Sequence, residues 1–474
     1  MPSFSWRDRW QGPGGGRELL ALAWPLILSN SIWTLQITLD RVLLGQNASA
    51  DLAASLPAVM LFWTLISLFQ HTSNYATTFV AQYLGAGRPH RVGPAIGQSL
   101  YFSLFGGFVF MALAPFAESL MAIGGHAADL QAREATFLRC LCFAALPTLI
   151  TASANSFFAG RGASRMVLLV MTSGLVVNGL LDYLWIFGRW GFPAWGIAGA
   201  GWATVCGSWA SAILALALML RPQYRKEYAT GECWRFEPEL FRRLLYFGLP
   251  NGLMVMLDAL AFTGFTFVVG MFGAAELAAT NITITLNIVV ILPVLGIGQA
   301  VEVLVGRRLG EDRPDLAERT TWTGFMLAWL AMAAVAVAYV AIPDLLVAAF
   351  RNGGDAEAAE AADVARVLLR FVAAYCLFDS ANLVFSFALR GAGDTRFVTL
   401  AAVGPAWFVM VLPTYAAWKY GWGLYWAWAF ASAYIAILAL IFIARFMHGK
   451  WKTMRVIEQA PAEDQAMAPE ELAV

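Results

Sequence analysis

Charge is scarce in this sequence. Asp, Glu, Lys and Arg make up 13% of its 474 residues and the formal net charge is zero, where a soluble protein carries about 25% charged residues. No global field exists to draw nucleic acid or an acidic partner, so neither is expected. Metal-binding residues are equally thin. Five cysteines (Cys140, Cys142, Cys206, Cys233, Cys376) and four histidines (His71, His90, His126, His448) fall at no metal-ligand spacing. Four of the five cysteines lie in apolar stretches, where Cys acts as a small hydrophobe. No phosphate-binding loop is present: the glycine-rich stretch 12–16 runs into Arg17 and Glu18, where Lys followed by Ser or Thr would be required. No connection is long enough for an ATPase domain, and no nucleophile–base pair marks an enzyme. We expect no cofactor and no catalytic residue. Energy for any transport must come from an ion gradient or a separate chain.

Apolar residues are abundant, at 59%. Twelve runs are long enough to cross a bilayer, each near or above the roughly 20 residues this takes: 19–43, 52–83, 92–122, 130–159, 165–188, 195–220, 243–272, 277–308, 317–344, 361–389, 397–418 and 423–446. They are too long and too uniformly apolar for barrel strands, and the first is too long for a cleaved signal peptide. The expected fold class is an all-α integral membrane protein of twelve transmembrane helices in two pseudo-symmetric six-helix lobes.

The lobes follow from an internal repeat. At an offset of 225, Pro25 falls on Pro250, Gly45 on Gly270, Leu84-Gly85 on Leu309-Gly310 and Arg88-Pro89 on Arg313-Pro314; Arg161-Gly162-Ala163 matches Arg390-Gly391-Ala392 at 229. Duplicated membrane chains of this kind commonly place a site between or inside two bundles. The expected divisions are a segment 1–18, a first lobe 19–220, a connection 221–242, a second lobe 243–446 and an acidic, disordered tail 447–474. With the N-terminus inside, 23 of the 31 Lys and Arg residues fall on one side and 8 on the other. That bias puts both termini in the cytoplasm of a cell (inner) membrane.

Acids inside a bilayer are costly and by default functional. Away from span ends, six stand out: Asp40, Glu118, Asp182, Asp258, Glu302 and Asp379. No Lys or Arg sits at the midplane, so these carboxyls lack an obvious partner. Such a group can bind and release a proton or ligate a cation. Asp40, Asn178, Asp182 and Thr204 fall at similar depth in the outer part of the first lobe, and Asn178 and Asp182, four apart, share a helix face. They form a candidate H+ or Na+ site, with Asp40, Asn178 and Asp182 as the Na+ ligands. Asp258 and Asp379 fall near the midplane of the second lobe, with Glu302 nearer the cytoplasmic end. Glu118 reads as interfacial. Pro25 lies in the helix that carries Asp40 and is a candidate hinge.

The order and spacing of several motifs resemble the MATE (multidrug and toxic compound extrusion) transporters over about 19–446. They are Pro25 with Asp40 and Gly45, the run Gln82-Tyr83-Leu84-Gly85-Ala86-Gly87, Asn178 with Asp182-Tyr183, and Gly196, Gly199-Ala200 and Ala203-Thr204. Gly248-Leu249-Pro250 and Leu389-Arg390-Gly391-Ala392-Gly393-Asp394-Thr395 follow in the second half. The resemblance implies two lobes in a V, alternating access, and export of organic cations in exchange for H+ or Na+. It gives Asp40, Asn178, Asp182 and Thr204 the first-lobe ion-site roles and matches Asp258 and Asp379 to second-lobe acids; at 258 many bacterial members carry Glu instead. The expected partners are small organic, often cationic, substrates and membrane lipid, with the chain acting as a monomer. A lipid-linked precursor or metabolite flippase of related architecture is the alternative. It would favour a basic cavity, which the sequence does not supply.

Overall fold

The computed structural model describes residues 10–348, 350 and 356–458. Twelve helices among them are long and apolar enough to span a membrane: α1 Gly16–Asn47, α2 Ser49–Gly85, α3 Pro89–Ala122, α4 Ala128–Gly160, α5 Ser164–Phe187, α6 Ile197–Met219, α7 Pro238–Gly270, α8 Ala274–Gly310, α9 Pro314–Ala341, α10 Ala359–Ala392, α11 Thr395–Lys419 and α12 Leu424–Met447. No strand occurs among the described residues. In a bilayer every backbone polar group must be satisfied within its own segment, which is why long apolar runs resolve as helices.

The helices form two groups of six. The repeat-equivalent α4 and α10 are the most buried and act as central posts of the two lobes. Proline marks the irregularities. Pro25 lies inside a continuous α1, and its carbonyl accepts from the Ser29 hydroxyl at 2.7 Å. In α11, Pro405 cannot donate to the helix ladder, and the next six residues, Ala406–Val411, widen into a π-turn.

The lobes meet along a seam in the halves of the helices nearer the termini. The repeat builds this seam twice. A methyl group on Gly296 of α8 would lie 2.4 Å from the Ile27 side chain of α1, and one on Gly252 of α7 would lie 2.2 Å from the Leu68 carbonyl oxygen of α2. At the very end, repeat-mates Gly85 and Gly310 each press on the other lobe. A methyl on Gly85 would sit 2.0 Å from the Arg307 carbonyl oxygen, and one on Gly310 would sit 2.2 Å from that of Gln82. Only glycine lets the two backbones approach this closely.

The chain after α12 is ordered through Glu458, which corrects the expectation of a disordered tail from 447 onward. Trp451 is buried, stacks on Phe446 with ring centroids 4.6 Å apart, and donates its indole N–H to the Phe446 carbonyl. An amphipathic ring with a donor to satisfy is a strong anchor. From there the segment crosses the seam to the first lobe. The Val456 N–H donates to Gln82 Oε1 at 2.8 Å, and Glu458 accepts from the Tyr83 hydroxyl at 2.7 Å and Arg88 Nη2 at 2.9 Å. The acidic residues Glu463, Asp464, Glu470 and Glu471 lie outside the described residues.

Candidate functional site

Three of the four first-lobe candidates come together. Close packing of α1 on α5 sets the geometry: a methyl on Gly179 would lie 2.8 Å from Leu39. This brings Asp40 against Asn178 and Asp182. Asn178 and Asp182 are fully buried, and Asp40 is 9% exposed. Asp40 Oδ1, both Asp182 oxygens and both polar atoms of the Asn178 amide face one another within the cluster but form no hydrogen bond of good geometry. Buried polar groups are almost always paired, so five unpaired atoms in one cluster need an explanation. Two carboxylates side by side without a cation leave the site short of positive charge, which a proton or a small cation would supply.

A cavity of about 30 Å³ lies beside Asp40, lined also by Ile37, Arg41, Leu44, Ser55 and Phe137. One water-sized particle needs about 10–15 Å³ by this measure, so the space accommodates a water molecule or a bare cation. Three oxygen-bearing side chains suit a hard cation rather than a soft metal. No cluster of three or more His, Cys, Asp or Glu residues able to hold a metal occurs among the described residues. Arg41 lines the same cavity but forms no ion pair with Asp40. Thr204 is half-buried and donates its hydroxyl to the Ala200 carbonyl of its own helix at 3.0 Å. It sits three residues before Gly207, where α6 touches Asn178.

In the second lobe, Asp258 of α7 accepts from the Tyr434 hydroxyl of α12 at 2.7 Å. Its side chain is accessible although it lies mid-span. Asp379 of α10 is buried, accepts from Asn382 at 3.0 Å, and lies within electrostatic range of Asp258. The structure thus brings Asp258 and Asp379 near one another. It places Glu302 elsewhere, at the seam, where Glu302 accepts from the first-lobe Thr78 hydroxyl at 3.1 Å. Glu118 pairs with Arg139 at 2.9 Å on an exposed surface.

Sequence reasoning missed the polar seam around Glu302. The Tyr75 hydroxyl donates to the Arg390 carbonyl at 2.8 Å, and Gln82 donates to the Gly391 carbonyl at 3.1 Å. The buried Arg390 guanidinium donates to Asn251 at 3.1 Å, and Asn251 in turn donates to the His71 carbonyl at 3.1 Å. Arg390 stands in a motif that marks the repeat and Gln82 in one that carries the family resemblance, which was the available signal. Tyr434 offered only a hydroxyl in the middle of an apolar span.

Two facing six-helix lobes, a buried acidic cluster in one of them and a seam closed at one end are the architecture of a membrane carrier. The family model described as MatE matches residues 25–184 and 250–415, and the chain belongs to that family, the MATE transporters. Among its relatives is a probable multidrug resistance protein NorM from Mesorhizobium japonicum, 28% identical over 437 residues that cover 91% of this chain and 93% of the relative. Solved structures share the fold. A MOP superfamily transporter from Pyrococcus furiosus, described by the reverse polarity of its binding pocket, superposes with a TM-score of 0.84 at 19% identity, covering 94% of this chain and 98% of its own. An outward-facing multidrug resistance MATE family transporter superposes with a TM-score of 0.82 at 19% identity, covering 91% and 95%.

Proposed function

We propose that this chain is a secondary active antiporter that exports amphipathic, often cationic, organic compounds in exchange for H+ or Na+. The observation that carries the reading is the unpaired cluster of Asp40, Asn178 and Asp182, buried and short of one positive charge. Substrate class follows from the multidrug-resistance relatives and from the accessible Asp258, whose carboxylate suits a cationic ligand. The positive-residue bias makes the face that carries both described ends the cytoplasmic one. The chain is then closed to the cytoplasm by the glycine seam and its polar contacts, and the site faces outward.

The working cycle needs a second state in which the seam opens. Thr78–Glu302, Tyr75–Arg390, Gln82–Gly391 and the Glu458 contacts would all break together, because each joins one lobe to the other. An ion arriving at Asp40 and Asp182 drives the switch only if the two states bind it with different affinity. Asp40 lies on the helix whose lower part, at Ile27, forms the seam. Pro25 weakens that helix where the two meet, so a change at Asp40 can be passed to the seam as a change of bend.

The deciding experiment is ethidium efflux from energised cells carrying wild type or Asp40→Asn, with the proton and sodium gradients collapsed separately. Efflux that follows one gradient and vanishes in Asp40→Asn supports the reading and names the ion. Wild-type cells that move no cationic dye under either gradient would overturn it.

A further inference from the structure

A groove of about 330 Å³ opens on the second lobe between α7 and α11, away from the acidic clusters. It is lined by Arg242, Leu245, Tyr246, Leu249, Leu253 and Arg396, with Pro250 between them. On α7, Gly248 and Gly252 turn toward the first lobe, and the grooved face points about a third of a turn away from them. The groove therefore belongs to the outer flank of the lobe and not to the seam.

Its chemistry is graded along its length. Arg242 and Arg396 sit at the terminal-face ends of their helices, and neither forms an ion pair with a carboxylate among the described residues. Arg396 lies over the Tyr246 ring with its guanidinium carbon 3.6 Å from the centroid, which fixes the cation without neutralising it. Beyond the arginines, Leu245, Leu249 and Leu253 recur at every fourth position and form one apolar stripe. Arg242 and Leu253 are eleven residues apart, about 16 Å along a helix. That is close to the depth of one leaflet, half of the roughly 30 Å hydrocarbon core. The half-exposed tyrosine stands at the boundary, where such rings favour the headgroup level.

We propose that this groove is a binding site for one anionic phospholipid of the cytoplasmic leaflet. Arg242 and Arg396 hold the phosphate-bearing headgroup and the leucine stripe holds an acyl chain. A soluble anion would need the arginines but not the stripe. A zwitterionic lipid would fill the stripe but leave two cations uncompensated. The internal repeat places one of these cations twice, since Arg17 stands 225 positions before Arg242.

The test uses the full chain purified in detergent and native mass spectrometry with phosphatidylglycerol, phosphatidylcholine of the same chains, and inorganic phosphate as competitor. We expect phosphatidylglycerol to bind about tenfold tighter than phosphatidylcholine, and millimolar phosphate not to displace it. The double variant Arg242→Ala/Arg396→Ala should lose one tightly bound phosphatidylglycerol per chain. Arg242→Lys/Arg396→Lys, which keeps the charge, should retain it, and an unchanged melting temperature of the alanine variant separates a lost site from a damaged fold. Equal binding of the two lipids, displacement by phosphate, or an alanine variant that binds as wild type would each overturn the proposal. None of these outcomes depends on transport, so the antiporter reading stands or falls separately.

Discussion

Adding a single methyl group at Gly310 should open the seam. Gly310 ends α8, its φ is not in the left-handed region, and alanine there strains no backbone. The entire effect must come from the 2.2 Å approach to the Gln82 carbonyl oxygen, an atom of main chain that no rotamer change can move. Overpacking of this kind costs about 1–3 kcal/mol. Because the clash exists only while the lobes touch, that energy is lost by the closed state alone. The ratio of closed to open carriers should therefore fall by about 5- to 150-fold. Gly85→Ala, which meets the Arg307 carbonyl at 2.0 Å, should act the same way, and the two together less than additively because they relieve one interface. The repeat supplies its own control. Gly45 and Gly270 are mates at the opposite ends of the helices, and a methyl there meets only leucine side chains, at 3.3 and 3.5 Å. Spin labels at His90→Cys and Asp315→Cys, both exposed on the terminal face of different lobes, would read the separation by pulsed EPR. The native cysteines are buried apart from the half-buried Cys206, which limits background labelling. Longer distances for Gly310→Ala but not for Gly270→Ala support the argument. The same distance distribution in both would refute it, because the seam would then tolerate a clash that its geometry forbids.

Asp182→Asn should leave the melting temperature unchanged or raise it, since it removes one of two adjacent buried carboxylates, while ion-driven efflux is lost; a lower melting temperature with efflux intact would count against the cluster as an ion site. Glu458 lies outside the spans, and although burial opposes its charge, the Tyr83 hydroxyl and the nearby Arg88 and Arg91 hold its carboxyl below the ordinary value of 4.5. Its contribution to closure is thus complete above that value and is lost only as pH falls beneath it. The EPR distances should stay constant from about pH 5.5 to 8 in wild type, whereas Glu458→Gln should lengthen them across that range. Tyr434→Phe removes the one hydrogen bond to Asp258 among the described residues and should change the apparent affinity for a cationic dye by about 3- to 10-fold, with the maximal rate of efflux little altered.

Much of the fold was legible because a bilayer leaves the chain few choices. Apolar length fixed the twelve spans, and the 225-residue offset announced the two lobes. The depth argument also brought Asp40, Asn178 and Asp182 to one level, since position along a helix converts directly to height. What it could not supply was azimuth between helices. Glu302 and Asp379 lie on neighbouring helices of one lobe, yet Glu302 turns to Thr78 across the seam while Asp379 stays near Asp258. The tail was misread for a different reason. Residues 447–458 are polar enough to look solvated, but one tryptophan that packs on Phe446 is enough to anchor the segment, and Glu458 then meets two arginines that belong to another part of the sequence.

Duplication and function pull in different directions here, and the residues show where each prevails. The seam keeps its symmetry: Gly85 and Gly310 are mates, and α1–α8 mirrors α7–α2. Closing two lobes needs matched surfaces, so a change on one side would have to be answered on the other. The buried acidic cluster has abandoned symmetry. The mate of Asp40 is Phe265, which is buried in the apolar core of the second lobe against Trp428. Asp258 has Trp33 as its mate, and Trp33 packs at a tilt on Trp63 with ring centroids 4.7 Å apart. Each lobe thus carries one of its acids where the other carries an aromatic ring. An unpaired carboxylate cluster is costly in a membrane interior, and a carrier that couples one ion event to one rocking motion gains nothing from a second copy at the equivalent place. The division leaves one lobe with a buried, charge-deficient cluster suited to a small ion and the other with an accessible mid-span acid. Under the proposed exchange, ion and substrate would bias the same seam from different sites.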